Sequence, residues 1–368
     1  MDETEGLIWL CGQAVKQQIP NKELVMTIDL NGLYALAKMH MLSSIVGISL
    51  KKAGVEDARF QKAIEVAQYK TLIMDAEKRK IFQKLDEHKI WHVGLKGSEI
   101  QNWYPKLAMR ESADVDVLFD ASFENDVKEI MLELGYRCEC FGAGHHDVYQ
   151  IESGVCVEMH VALFGVEYDD NLNRYFNGVR GRLVCRNGWE YQFKPEDFYL
   201  YFIAHANTHF VNDGVGLRTL LDEYVFLDKH EKLLDWSYVE TELHKLKMRE
   251  FETSLKTLAK KCFGESSFSK DKLSPDELEM LEYLVTSGSH GFVGNRVKNW
   301  IRDGGGGFRG KVKYVWRRLF LPMDVVKHWF PFFYRHKILL PFLPVYRMIK
   351  GIQGNGKKIS AEWKAFRR

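Results

Sequence analysis

Apolar residues recur every three to four positions through the first 88 residues, along Leu7, Leu10, Cys11 and Val15, and again along Leu33, Ala35, Leu36, His40 and Leu42. That period predicts amphipathic helices, with Pro20 and Gly54 as breaks. Glu56–His88 continues the pattern as one long helix, with Phe60, Ile64, Ala67 and Leu72 on one side. Near residue 90 the period changes. Ile90–Leu95 is short, β-branched and apolar, which predicts a strand, and Lys96-Gly97-Ser98 turns the chain into a short helix ending near Pro105. Ala113–Phe119 alternates polar and apolar residues, the period of a half-buried strand. A helix capped by Ser122 follows through Leu134, with Gly135 as its stop, and then strands near Tyr136–Phe141, Asp147–Ile151 and Val155–Leu163. Helical periodicity returns after Pro195 and covers the stretch to His209, Gly216–Lys229, Tyr238–Phe263 and a segment capped at Ser274.

The order of elements predicts an α+β protein. A small, mixed and mostly antiparallel sheet over residues 90–192 is flanked by a helical region at 1–89 and another at 193–303. Gly304–Gly307 reads as a linker into a C-terminal segment, 304–368.

Asp114-Val115-Asp116-Val117 is the most informative stretch. Alternate residues of a strand point the same way, so two carboxylates leave one face while the valines enter the core. Like charges this close repel, and a divalent cation removes the conflict. Val157-Glu158-Met159-His160 repeats the alternation and puts Glu158 and His160 on one face of another strand, expected to lie antiparallel beside the first. Three carboxylates so placed suit a two-metal clamp for phosphoryl transfer. Gly97-Ser98, at a strand-to-helix turn, would aim backbone N–H groups at phosphate.

Lys96-Gly97-Ser98, the short helix, Tyr104-Pro105, Arg110, Asp114-Val-Asp116-Val and Val157-Glu158-Met-His160 together resemble an uncharacterised nucleotidyltransferase family of the DNA polymerase beta-like superfamily. The matching stretch runs from about Leu95 to Leu163 and extends more loosely through His205, Arg218 and Asp222. The resemblance implies a Mg²⁺-dependent enzyme, with Mn²⁺ as an alternative, that moves a nucleoside monophosphate from ATP or another triphosphate to a hydroxyl. It implies that Asp114, Asp116 and Glu158 hold the metal, that Glu158 helps deprotonate the acceptor, and that Gly97 and Ser98 contact the β- and γ-phosphates. Lys96 stands where the wider superfamily often has glycine. The alternative is a catalytically silent nucleotide-binding or membrane-surface accessory protein with the same fold.

Several other residues are candidates for the same site. Arg110 offers a guanidinium fork for phosphate, or an ion pair with Glu111 or another surface acid. Lys96 and His160 are candidate triphosphate contacts, and His145-His146-Asp147 opens a strand able to line the site. His205 and His209 share a helix face, but His-Ala-Asn-Thr-His lacks the glutamate of a zinc protease. Arg218 and Asp222, one turn apart, either pair with each other or touch nucleotide. A protein kinase is disfavoured, since no glycine-rich loop precedes Lys96 and no His-Arg-Asp triplet follows.

Charge changes the picture at the C-terminus. Residues 308–368 hold fifteen Lys/Arg and two acids, a charge of +13, leaving −11 on the rest. They also hold thirteen aromatic residues and four of the eight prolines, at 322, 331, 341 and 344, which forbid one continuous helix. Three readings stay open: a lobe packed on the acidic body, attachment to an anionic membrane surface, and a groove for nucleic acid or another polyanion. The acidic start does not resemble an export signal, and no uncharged run approaches the ~18 residues of a spanning helix. The six scattered cysteines fit no zinc spacing. These features predict a cytoplasmic protein, in contact with a membrane only at its surface.

Overall fold

The helices at the N-terminus begin where short polar side chains cap them. A computed structural model describes residues 1–165, 170–212, 214–288, 297, 299–301, 305–321, 323–347 and 366. Asp2, Asn21, Asp29 and Asp57 accept the first free N–H groups of α1 (Glu3–Val15), α2 (Lys22–Val25), α3 (Leu30–Met39) and α5 (Ala58–Glu87), with α4 (Ser43–Lys52) between the last two. On α5 Phe60, Ala67, Thr71, Glu77, Ile81, Phe82 and Leu85 are buried, whereas Leu72 is exposed.

The sheet is built from β1 (His92–Gly94), β2 (Asp114–Phe119), β3 (Arg137–Cys140), β4 (His146–Gln150), β5 (Cys156–His160), β6 (Leu183–Asn187) and β7 (Glu190–Phe193). The seven strands lie in the order β3-β4-β5-β2-β1-β7-β6. Short helices α6 (Gly97–Ile100), α7 (Glu124–Glu133) and α8 (Asp170–Tyr175) connect them. The protein is α+β, as its periodicities predict. One neighbour relation differs from expectation: β2 and β5 pair in parallel, with Asp116 opposite Glu158. The chain leaves β2 through α7 and the β3–β4 hairpin before returning, and that crossover sets β5 in the same direction as β2. The hairpin β6–β7 extends the sheet beyond the strands read from the sequence.

After the sheet come α9 (Pro195–Asn212), α10 (Leu217–His230), α11 (Trp236–Leu246), α12 (Arg249–Ala259) and α13 (Pro275–Ser287). The single helix expected over 238–263 is two. Lys247 takes a left-handed conformation, φ 57°, and ends α11. Beyond lie α14 (Gly307–Leu319), α15 (Met323–Trp329) and α16 (Pro331–Arg335).

Two cores hold these layers. One face of the sheet, through Val115, Val117, Val157 and Met159, packs on Ile81 and Leu85 of α5 and on Val127 and Met131 of α7. The larger core joins Leu7 and Leu10 of α1 to Leu220 of α10, Leu258 of α12 and Leu284 of α13. His40 pins that union. Its Nδ1 accepts the Leu217 N–H at 3.2 Å, so its Nε2–H donates to the Val285 carbonyl at 3.1 Å. Gly216 makes room for it, since a Cβ there would lie 2.7 Å from Nδ1 and 2.6 Å from the Gly288 carbonyl oxygen. Burial pushes the imidazole down to about 4, which keeps it neutral in this role.

Candidate active site

The polar face of β2 and β5 looks into a cavity of about 350 Å³, closed on the far side by α9 and α10. Asp114, Asp116, Glu158 and His160 all line it, together with Lys96, Gly97 and Arg110. Alternation along the two strands does this: the residues between them are the valines and methionine of the smaller core. The parallel register sets Asp114 opposite Cys156 and Asp116 opposite Glu158.

Asp116 is the focus of the site. It is 3% exposed, and its Oδ1 receives Lys96 Nζ at 3.1 Å and His160 Nε2 at 3.0 Å. His160 Nε2 also lies 3.4 Å from Glu158 Oε2, and His146 Nε2 lies 3.8 Å from the same oxygen. Burial alone would raise the Asp116 carboxyl. The Lys96 ammonium and the His160 ring reverse that and hold it well below the usual carboxylate range. For Asp114 the balance goes the other way, and Lys96 and Arg218 only partly offset it. Burial, then the charges of Asp116 and Glu158, push it up to about 6. Lys96 is shifted upward because the attraction of Asp116 overcomes its own desolvation.

Lys96 has an unusual backbone, with φ 42° and ψ −117°. This is territory that glycine enters freely and that costs another residue about 1–2 kcal/mol. Lys96 is therefore held in a glycine-like turn, with its side chain on Asp116. Gly97 beside it is crowded in another way: a Cβ would lie 2.7 Å from Arg110 Nη1 and 2.9 Å from Ser112 Oγ. Ser98 sits outside the cavity wall. It is buried, and its hydroxyl donates to the Leu95 carbonyl at 3.0 Å.

The two arginines of the cavity wall have different partners. Arg110 is locked by Asp222, with Nε and Nη2 each donating to one carboxylate oxygen at 2.9 Å, and its partner is neither Glu111 nor a free site. Tyr104 donates to the same carboxylate at 2.7 Å. Arg218 is thus not paired with Asp222. Its Nη1 donates to the Glu111 carbonyl at 3.0 Å, and among the described residues no carboxylate comes within ion-pair distance of it. It lines the cavity with Asp114.

Histidines complete the wall. His145 and His146 line the cavity, whereas the next residue of the alternating strand, Asp147, is buried and accepts the Gly142 N–H at 2.7 Å. Across the cavity, His205 and His209 face one another at 3.2 Å between their Nε2 atoms. Burial, then Lys96, holds His205 well below its ordinary value, and burial, then His160, brings His146 down to about 4. A polar lining residue of α9 escaped the sequence reading. Tyr201 stands one helical turn before His205, and among the described residues its buried hydroxyl has no hydrogen-bond partner. The spacing Tyr201, His205, His209 was the available signal.

Among the described residues two groups of donors are compact enough for a metal ion: Asp116 with Glu158 and His160, and His145 with His146 and His160, each with ligand atoms within 4.8 Å of one another. Asp114 shares the cavity but belongs to neither group.

Residues 27–264 match the model of a family described as an uncharacterised nucleotidyltransferase. No curated protein and no solved structure matches the chain.

Proposed function

The chain belongs to that uncharacterised nucleotidyltransferase family, and we propose that it moves a nucleoside monophosphate from ATP or another nucleoside triphosphate to a hydroxyl of an acceptor. The observation that supports this most is the convergence of Asp114, Asp116 and Glu158 on one cavity that also holds two cationic side chains, Lys96 and Arg218.

The donor set fits a hard divalent ion. Three carboxylates face one space: Asp116 and Glu158 offer oxygens within 4.8 Å of one another, and Asp114 stands beside them in the same cavity. Asp114, Asp116 and Glu158 would hold Mg²⁺ or Mn²⁺. Once bound, the ion would neutralise phosphate oxygens as charge builds on them.

The chain's own residues have the remaining tasks. Arg218, without a carboxylate partner, is the guanidinium available to the triphosphate, while Arg110 is spent on fixing Asp222 and Tyr104. Lys96 brings a second positive charge from the Gly97 turn. Glu158, 22% exposed in its side chain, takes the proton of the acceptor hydroxyl. The acceptor oxygen bonds to the α-phosphorus as the bond to the bridging oxygen breaks, and pyrophosphate leaves. His160, bonded to both Asp116 and Glu158, orients the two acids.

Purified protein incubated with Mg²⁺ and α-labelled triphosphates should label an acceptor, and Asp116→Ala should abolish the label. Labelling that survives the substitution removes these acids from the chemistry. A second reading rests on Lys96 and His160, which already occupy Asp116 Oδ1 as built-in cations. In that reading the protein binds a nucleotide without turnover. Calorimetric binding of a triphosphate with no pyrophosphate release would support it.

A further inference from the structure

Half of the large apolar side chains exposed among the described residues fall within 308–346. On α14 they form a stripe. Phe308, Val312, Val315, Trp316 and Leu319 are spaced four, three, one and three apart, the period of one helix face, and are 39–85% exposed. The opposite face holds the helix to the body. Gly310 lies so close to the Ile301 carbonyl that a Cβ would sit 2.1 Å from its oxygen, and the Tyr314 ring packs on Trp300 at 6.0 Å between centroids. The apolar stripe therefore points away from the protein. At the helical period of 100° per residue, Arg309 and Lys313 flank it on one side and Lys311 and Arg318 on the other. Trp316 and Phe320 lie with ring centroids 4.2 Å apart at the end of the stripe. Ile338, 89% exposed, and Phe342, 63% exposed, follow further along the same segment.

We propose that α14 is the docking face for an anionic membrane surface, with Phe308, Val312, Val315, Trp316 and Leu319 entering the interface and Arg309, Lys311, Lys313 and Arg318 contacting acidic headgroups. Charge selects this occupant over a second copy paired symmetrically through α14, because the segment from 308 onward carries +13 and would repel itself. Side-chain type selects it over a nucleic acid, because the branched aliphatics Val312, Val315 and Leu319 give no stacking platform. Attachment lies along the surface, since among the described residues no helix is long and apolar enough to cross a membrane.

Flotation of the full chain with vesicles tests this. The protein should rise with phosphatidylcholine–phosphatidylglycerol vesicles and stay behind with phosphatidylcholine alone, and salt should weaken the binding. Replacing Arg309 and Lys313 by Ser should each weaken partitioning about fivefold. Val315→Glu should abolish it, with an unchanged thermal melt showing that the fold persists. Failure of the wild-type chain to float with the anionic vesicles would overturn the proposal. So would equal binding to both vesicle types, a dimer that Val315→Glu dissociates, or tight binding to a single-stranded oligonucleotide that Val315→Glu leaves unchanged.

Discussion

The two faces of β2 and β5 share a backbone and almost nothing else. On one, Val115, Val117, Val157 and Met159 are at most 1% exposed and meet only carbon. On the other, Asp114, Asp116, Glu158 and His160 meet one another, Lys96 and open space. The difference teaches that parity along a strand sorts residues into those that hold the protein together and those that line its cavity. Substitutions on the two faces should therefore separate cleanly in their effects.

The largest effect is expected on the polar face. Asp116→Asn should lower turnover by about a thousandfold, of the order seen when a buried charge-stabilising group is lost, and pyrophosphate release would measure it. Parent-like rates in the variant would break the assignment of chemistry to this face. On the apolar face, Met159→Ala should cost about 3 kcal/mol of stability in urea titrations while leaving turnover per folded molecule intact. A matching loss of turnover would show that the faces are coupled.

The pH dependence of the metal-free protein sharpens the contrast further. Asp114 stands at about 6 when folded, above its ordinary 3.8, so the folded state binds its proton more readily and the stability it contributes is lost as pH rises to about 6. His146 stands at about 4, below its ordinary 6.5, so its contribution is present above pH 6.5 and lost as pH falls towards 4. The two oppose each other. Asp114→Asn should expose the histidine and steepen the loss of stability on acidification from pH 6.5 to 4, by about 2 kcal/mol in chelator-treated samples. An unchanged slope would mean that Asp114 is not strained by its neighbours. The smallest effect is expected at Lys96. Lys96→Met should raise KM for the triphosphate about tenfold, the worth of one charged hydrogen bond, and lower kcat less. An unchanged KM would confine Lys96 to a structural pairing with Asp116.

Much of this site was legible in the chain because it is local. Asp114-Val-Asp116-Val and Glu158-Met-His160 declare their faces by alternation, and Lys96-Gly97-Ser98 marks the turn between a strand and a helix. What the sequence hid was long-range. Arg110 and Asp222 are 112 residues apart, so nothing local says that one saturates the other or that Arg218 goes without a carboxylate partner. The parallel pairing of β2 and β5 depends on how the chain crosses over, which periodicity does not encode. The β6–β7 hairpin had a signal, Asn187-Gly188, the dipeptide best suited to a tight turn, but its strands are short and mostly polar. Lys247 broke an otherwise continuous helical pattern by a backbone choice that lysine does not advertise.

The larger core has a practical consequence for anyone cutting this protein down. The family match begins at residue 27 and ends at 264, yet α1 before it and α13 after it bury Leu7, Leu10 and Leu284 among α10 and α12. A fragment trimmed to the matched borders would uncover those leucines' partners and release the Val285 anchor of His40. Such a fragment would keep every acid of the cavity and still be expected to aggregate on expression.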